Sequence, residues 1–167
     1  MSYLVDINIF LRLVPDSDPD REVVLSALRK LRSQNEQLFY TTQILAEFWA
    51  VCTRPATARG GYGLTPAKTE QKAKMIERFC GLLIENFAAH QEWRHLIVNH
   101  SVQGVVIHDA RLVAVMKVHG ITHLLTLNKD DFRRFSDITV LTPVSDHVIV
   151  NKFGHRREWP LSSPKAL

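Results

Sequence analysis

Short apolar runs alternate with amphipathic segments along this chain, and the alternation leaves few folds open to it. Tyr3-Leu4-Val5, Leu38-Phe39-Tyr40, His123–Leu127 and Ile138–Leu141 read as buried strands, with a weaker candidate near 83–86. Between them lie stretches with helical spacing. Residues 20–35 carry Val23, Val24, Ala27, Leu28 and Leu31 on one face, behind Asp18 and Asp20, acids that suit a helix start. Thr41 or Thr42 can cap a helix over 43–53, and Thr65-Pro66 opens another that runs to about residue 80. A helix is expected over 90–100. Val105-Val106-Ile107 reads as a strand leading into Asp109 and a helix to about 119, apolar on most sides and ended by Gly120. Asn128–Asp131 opens a short helix through Phe135. Strands that alternate with helices in this way predict an α/β fold with a mainly parallel sheet covered on both faces.

A chain of 167 residues suits one compact domain, here about 1–145, followed by a tail over 146–167 rich in His, Arg, Pro and Ser. The formal net charge of +4 admits a polyanionic partner without requiring one. Cys52 and Cys80 sit in apolar, helix-like surroundings with no C-x-x-C pair, so two buried thiols are expected. The opening Met-Ser-Tyr-Leu-Val-Asp lacks the basic and apolar regions of a signal peptide, and no apolar run is long enough for a bilayer. A cytoplasmic protein with no membrane partner is expected.

Open α/β sheets bind ligands beyond the carboxyl ends of their strands. Asp6 follows the first strand, Asp109 follows Val105–Ile107, and Asp130 and Asp131 follow the strand 123–127. Glu47 lies in a helix where Ile44 and Val51 are apolar, so it borders a buried face. Each acid has a purely structural explanation. Asp6 can cap a short helix Ile7–Leu13, Asp109 can cap the helix behind it, Asn128 and Asp130 can cap the next, and Glu47 can turn its head to water. Those explanations leave the convergence on one sheet edge unaccounted for. Several carboxylates together repel one another unless a cation sits among them, and hard oxygen ligands favour Mg²⁺ or Mn²⁺ over zinc. Such an ion can polarise a phosphoryl oxygen and acidify a bound water. The histidines compete poorly: His90, His95 and His100 are spaced around a helix, and His119 and His123 flank a turn.

At these residues the sequence resembles the PIN-domain family, and within it the toxins of VapC-type toxin–antitoxin pairs. The first strand ends in Asp6-Ile7-Asn8, the helix after the second strand carries Glu47, and His108-Asp109-Ala110-Arg111-Leu112 opens a late helix. A strand then enters Thr126-Leu127-Asn128-Lys129-Asp130-Asp131-Phe132, and Thr142-Pro143 closes the last strand. The resemblance implies a three-layer α/β/α fold and hydrolysis of RNA at an acidic pocket holding Mg²⁺ or Mn²⁺. It implies that Asp6 and Asp109 are metal ligands, that Glu47 completes the site or orients a metal-bound water, and that Asp131 is the fourth acid. Asn8 would tether the Asp6 loop, with Asn128 and Asp130 beside Asp131. It also implies a homodimer inhibited by a small antitoxin protein. Two positions depart from the family. Ile7 stands where a Thr or Ser hydroxyl usually supports the metal shell, leaving either a weaker site or one that the backbone completes. Asn128 stands where some members carry Asp.

Phosphate contacts are expected from Arg12, Arg54, Lys129 and Arg133, with Arg59 and Arg134 nearby, and Tyr62 or Trp49 could stack on a base. For Trp49 a place in the core is the better reading. Lys152–Arg157 could touch RNA or simply aid solubility. Two other functions fit less of the sequence. A PIN-like module that binds RNA or protein without cleaving is suggested by Ile7 and Asn128. A phosphatase of the haloacid-dehalogenase type would need a second Asp two residues after Asp6, and that residue is Asn8.

Overall fold

The structure, a computed structural model, describes residues 1–143, 149–150 and 156–157. Its sheet runs in the order β3-β2-β1-β4-β5-β6-β7, from β1 (Ser2–Val5), β2 (Gln37–Thr41), β3 (Gly81–Leu83), β4 (His123–Leu125), β5 (Thr139–Pro143), β6 (Ile149–Val150) and β7 (Arg156–Arg157). The first five are parallel, and β6 and β7 add on as short antiparallel strands. The proposed tail over 146–167 otherwise lies outside the described residues, Lys152–His155 among them.

On the central strands the alternation of in and out does not alternate burial. Leu4 and Val5 on β1, and Leu124 and Leu125 on β4, are all fully buried, so helices cover both faces and the fold is a three-layer α/β/α. The helices are α1 (Ile7–Leu11), α2 (Arg21–Ser33), α3 (Thr42–Thr53), α4 (Pro66–Phe79), α5 (Phe87–Asn99) and α6 (Val106–Val118). α2 buries Val24, Ala27 and Leu31 as its periodicity predicts. α6 buries Ala110 and Leu112 through Met116, and packs along α5, the position of a helix apolar nearly all round. Gly120 ends it at φ +68°, and the Ile121 N–H closes back on the Met116 carbonyl at 2.8 Å. Both cysteines are free and buried.

Local signals explain where elements begin. The Thr41 and Thr65 hydroxyls accept from the Ile44 and Lys68 N–H groups, and Pro66 takes the first helical position. α5 starts earlier than its apolar pattern predicts because Asn86 caps it, accepting from Ala89 N at 2.9 Å. The same cap takes residues 84–86 out of the weak strand, which sits instead at Gly81–Leu83.

One expected strand is absent from the described residues. Val105–Ile107 reads as a strand by its β-branched run, yet Val105 is 80% exposed and pairs with no neighbour. The Ile107 and His108 N–H groups instead bond the Gly104 and Val105 carbonyls and wind the chain into α6. Asp109 therefore stands in the first turn of a helix rather than behind a strand. The 55–64 loop folds tightly on itself: Gly63 N and Leu64 N return to the carbonyls of Arg54 and Cys52, and a Cβ at Gly61 would lie 2.3 Å from the Pro55 oxygen.

Candidate active site

Parallel pairing of β1 with β4 sets Val5 opposite Leu125, so the residues that leave these strands, Asp6 and Thr126, emerge side by side. Asp6 N–H bonds the Leu125 carbonyl at 2.9 Å, extending the ladder one residue past the strands. The Asp6 carboxylate is buried and fully engaged. Its Oδ1 accepts from the Ile7 N–H at 2.7 Å, capping α1. Its Oδ2 accepts from Asn8 Nδ2 at 2.7 Å and from the Thr126 hydroxyl at 2.6 Å. Asn8 also donates to Thr126 Oγ1 at 2.8 Å and accepts from the Leu127 N–H at 3.0 Å, and the Asn128 N–H reaches the same hydroxyl. The β1–α1 and β4 exits are thus one hydrogen-bonded unit. Ile7 lacks the hydroxyl that the resemblance leads one to expect beside Asp6, and its backbone N–H together with Thr126 supports the carboxylate instead.

Three further acids face this unit. Glu47 comes from the middle of α3, Asp109 from the first turn of α6, and Asp131 from a short 3-10 helix over Lys129–Phe132. Gln43, one turn before Glu47, donates to Glu47 Oε1 at 2.9 Å and to the His108 carbonyl at 3.2 Å, linking α3 to the residue before Asp109. The electrostatics register the convergence. Burial above all, opposed by the bonds from Thr126 and Ile7 and aided by the charges of Glu47 and Asp131, pushes Asp6 up to about 6. Asp109 is pushed up to about 7, first by burial and then by Asp131, Asp6 and Glu47, with Arg134 opposing. Four carboxylates from four distant stretches of sequence therefore share one field.

Whether these residues suit a divalent ion can be judged from their chemistry. Every donor is a carboxylate oxygen, and burial, aided by mutual repulsion, already raises two of the four, an imbalance that a divalent cation relieves. Among the described residues, however, no three Asp, Glu, His or Cys side chains are gathered as a ready coordination shell. The donor set fits a hard ion, and the side chains stand apart from the arrangement that would grip it.

The outer candidates divide. Asp130 is exposed and pairs with Arg133 at 2.8 Å, which occupies both. Asn128 is exposed and its side chain makes no cap bond to the 3-10 helix. Arg12 is drawn to Asp18 at 3.4 Å and Asp20 at 3.6 Å. Arg54 is exposed in the glycine loop with its guanidinium on the Arg59 carbonyl, and Lys129 is exposed. Tyr62 does not stand free to stack: its hydroxyl donates to the Leu11 carbonyl and its ring packs on the core, as does Trp49. The roles of two residues beside the acids are not legible in the sequence. Thr126 opens one of the motifs that carry the resemblance, but only the β1–β4 register sets its hydroxyl against Asp6. Gln43 carried only its spacing of four from Glu47 as a signal.

The chain is thus an α/β/α domain with acidic side chains converging beyond the carboxyl edge of its parallel strands. The PIN domain model matches residues 3–138, and the chain belongs to that family. Among solved structures, the fold is similar to a chain of VapBC2 from Rickettsia felis bound to a promoter DNA fragment. The TM-score there is 0.63 at 15% identity, over 85% of this chain and 98% of that one. A chain of the DNA-bound VapBC of Salmonella typhimurium matches with TM-score 0.63 at 11% identity, over 86% and 99%. VapC20 of Mycobacterium tuberculosis, a sarcin–ricin loop cleaving toxin, matches with TM-score 0.53 at 16% identity, over 73% and 86%. No curated protein matches it in sequence. Among the described residues no helix is long and apolar enough to cross a membrane.

Proposed function

We propose that this chain is a divalent-metal-dependent endoribonuclease, a VapC-like toxin that hydrolyses RNA phosphodiester bonds in the cytoplasm under the control of a small antitoxin. One observation carries the reading: the charges of Glu47 and Asp131 bear on both Asp6 and Asp109 at the strand-end edge of a PIN fold. Asp6 and Asp109 would ligate Mg²⁺ or Mn²⁺, Glu47 would complete the set, and Asp131 would close its outer side. Bound there, the ion would polarise a phosphoryl oxygen and acidify water. The protein's own part is to hold Asp6 by the Asn8–Thr126 unit and to offer cations to the RNA backbone. Lys129, Arg54 and Arg134 are the bases best suited to that, since Arg12 and Arg133 have acidic partners. A structured RNA is the substrate class, in line with the relative described as cleaving the sarcin–ricin loop.

Purified protein should cleave RNA with Mn²⁺ or Mg²⁺ and stop on adding EDTA, and Asp109→Asn should lose cleavage while staying folded. Undiminished cleavage by that variant would end the assignment.

An antitoxin partner is supported by the VapBC neighbours and by an apolar groove of about 540 Å³ between α2 and α4, lined by Leu25, Leu28, Met75 and Phe79 with Arg29 and Lys72 among its basic residues. It suits an amphipathic segment with acidic flanks. A homodimer is supported by Leu82, Ile84 and Phe87, which are exposed along the open β3 edge. Light scattering of the chain, alone and with the product of an adjacent small gene, tests both. A second reading, binding without cleavage, is favoured by the acids' not forming a ready shell among the described residues. Calorimetric titration with Mn²⁺ separates the two, because a non-catalytic module would give no heat of binding.

A further inference from the structure

We infer that Gln43 is a positioning residue for the acidic site, a two-armed brace that fixes the Glu47 carboxylate relative to the helix turn carrying Asp109. The inference rests on the nuclease reading above and deepens it.

Gln43 and Glu47 lie four apart on α3, on neighbouring turns of one face. The Gln43 amide donates one N–H to Glu47 Oε1 at 2.9 Å and the other to the His108 carbonyl on α6 at 3.2 Å. Two acceptors on one nitrogen fix which way the amide points, because turning it over would set its oxygen against both. Among the described residues this is the one hydrogen bond made to the Glu47 side chain, which otherwise has three rotatable bonds and no anchor. Asp6 and Asp109 both feel the Glu47 charge, so its orientation matters to the whole edge.

The third atom of the amide shows what the residue is for. Gln43 Oε1 is buried and has no hydrogen-bond partner among the described residues. A buried acceptor left unmet disfavours folding, and a methionine of the same shape would avoid it. What glutamine supplies that methionine cannot is the pair of donors. Since the carboxylates are not gathered beforehand, the group that holds one of them against a neighbouring helix governs how readily they close on a cation.

The test is Gln43→Met, with Gln43→Ala carrying the same measurements should the first fail to fold. Mn²⁺ affinity is read by titration calorimetry, RNA cleavage as kcat and KM at saturating Mn²⁺, and folding by melting in EDTA. The expected result is Mn²⁺ binding about 10-fold weaker and kcat lowered about 10- to 100-fold, the range for loss of a partner that orients a metal ligand. KM should hold, and the melting temperature in EDTA should not fall. Wild-type Mn²⁺ affinity and kcat in the variant, beside a wild type that binds and cleaves, would overturn the brace alone. A wild type that neither binds Mn²⁺ nor cleaves would overturn the nuclease reading and the brace with it.

Discussion

Asp109→Asn should make the metal-free protein more stable at alkaline pH and the metal-loaded protein less stable, relative to wild type. A carboxyl whose folded-state pKa lies above its unfolded value favours folding only while protonated. That contribution is whole below about pH 4 and gone once pH passes 7, the window set by the rise of Asp109 from 3.8 to about 7. Taken at full value, the rise would amount to about 4 kcal/mol against the folded state at pH 8. Asp109 is only half-buried, and solvent screens its neighbours, so about 1–2 kcal/mol is the realistic penalty. Asparagine escapes it. Working the other way, the variant loses the favourable meeting of a negative charge with the first turn of α6, about 0.3–1 kcal/mol. The penalty is larger, so the variant should gain on balance. At pH 5 the carboxyl is protonated in the folded protein and only about a third of the penalty has developed, so the gain should shrink accordingly. Saturating Mn²⁺ reverses the order, because a ligand at about 100 times its Kd stabilises the protein that binds it by about 2.7 kcal/mol. Urea unfolding at pH 5 and pH 8, in EDTA and in Mn²⁺, measures all four conditions. A variant less stable than wild type in EDTA at pH 8, or one whose difference ignores pH, would refute the electrostatic reasoning.

Two further outcomes test other parts of the structure. Thr126→Val removes the hydroxyl that donates to Asp6 and accepts from Asn8 and the Asn128 N–H; it should lower unfolding free energy by about 2 kcal/mol, read by urea titration. The same variant should raise the Asp6 pKa above its present value of about 6, since the Thr126 bond holds it down, and carboxyl-detected NMR would register the shift. Gly61→Ala forces a Cβ to within 2.3 Å of the Pro55 carbonyl, so the 55–64 loop must open, at about 1–3 kcal/mol by thermal melting; an unchanged melting temperature would mean the loop does not fold back as described.

Much of the fold could be read from local chemistry. The helical spacing of α2, the caps Thr41 and Thr65, and the stop at Gly120 are decided within a few residues, so the sequence carries them openly. Asp6, Glu47, Asp109 and Asp131 were legible as candidates because charged side chains bordering apolar runs are conspicuous. Local reading failed where the deciding partner is remote. Val105–Ile107 has the composition of a strand, and only the lack of a neighbouring strand to bond it sends those residues into a turn and the start of α6. Thr126 and Gln43 have ordinary chemistry for a strand end and a helix face. Their contacts with Asp6 and with the α6 turn arise from strand register and helix packing across the chain. Tertiary structure also sorted the bases, committing Arg12 and Arg133 to acids of their own while Arg134 tempers Asp109. Local sequence thus set most of the elements, Val105–Ile107 apart, and which side chains could do chemistry. Which of those side chains meet was left to the sheet, because such contacts depend on the packing of distant segments rather than on spacing along the chain.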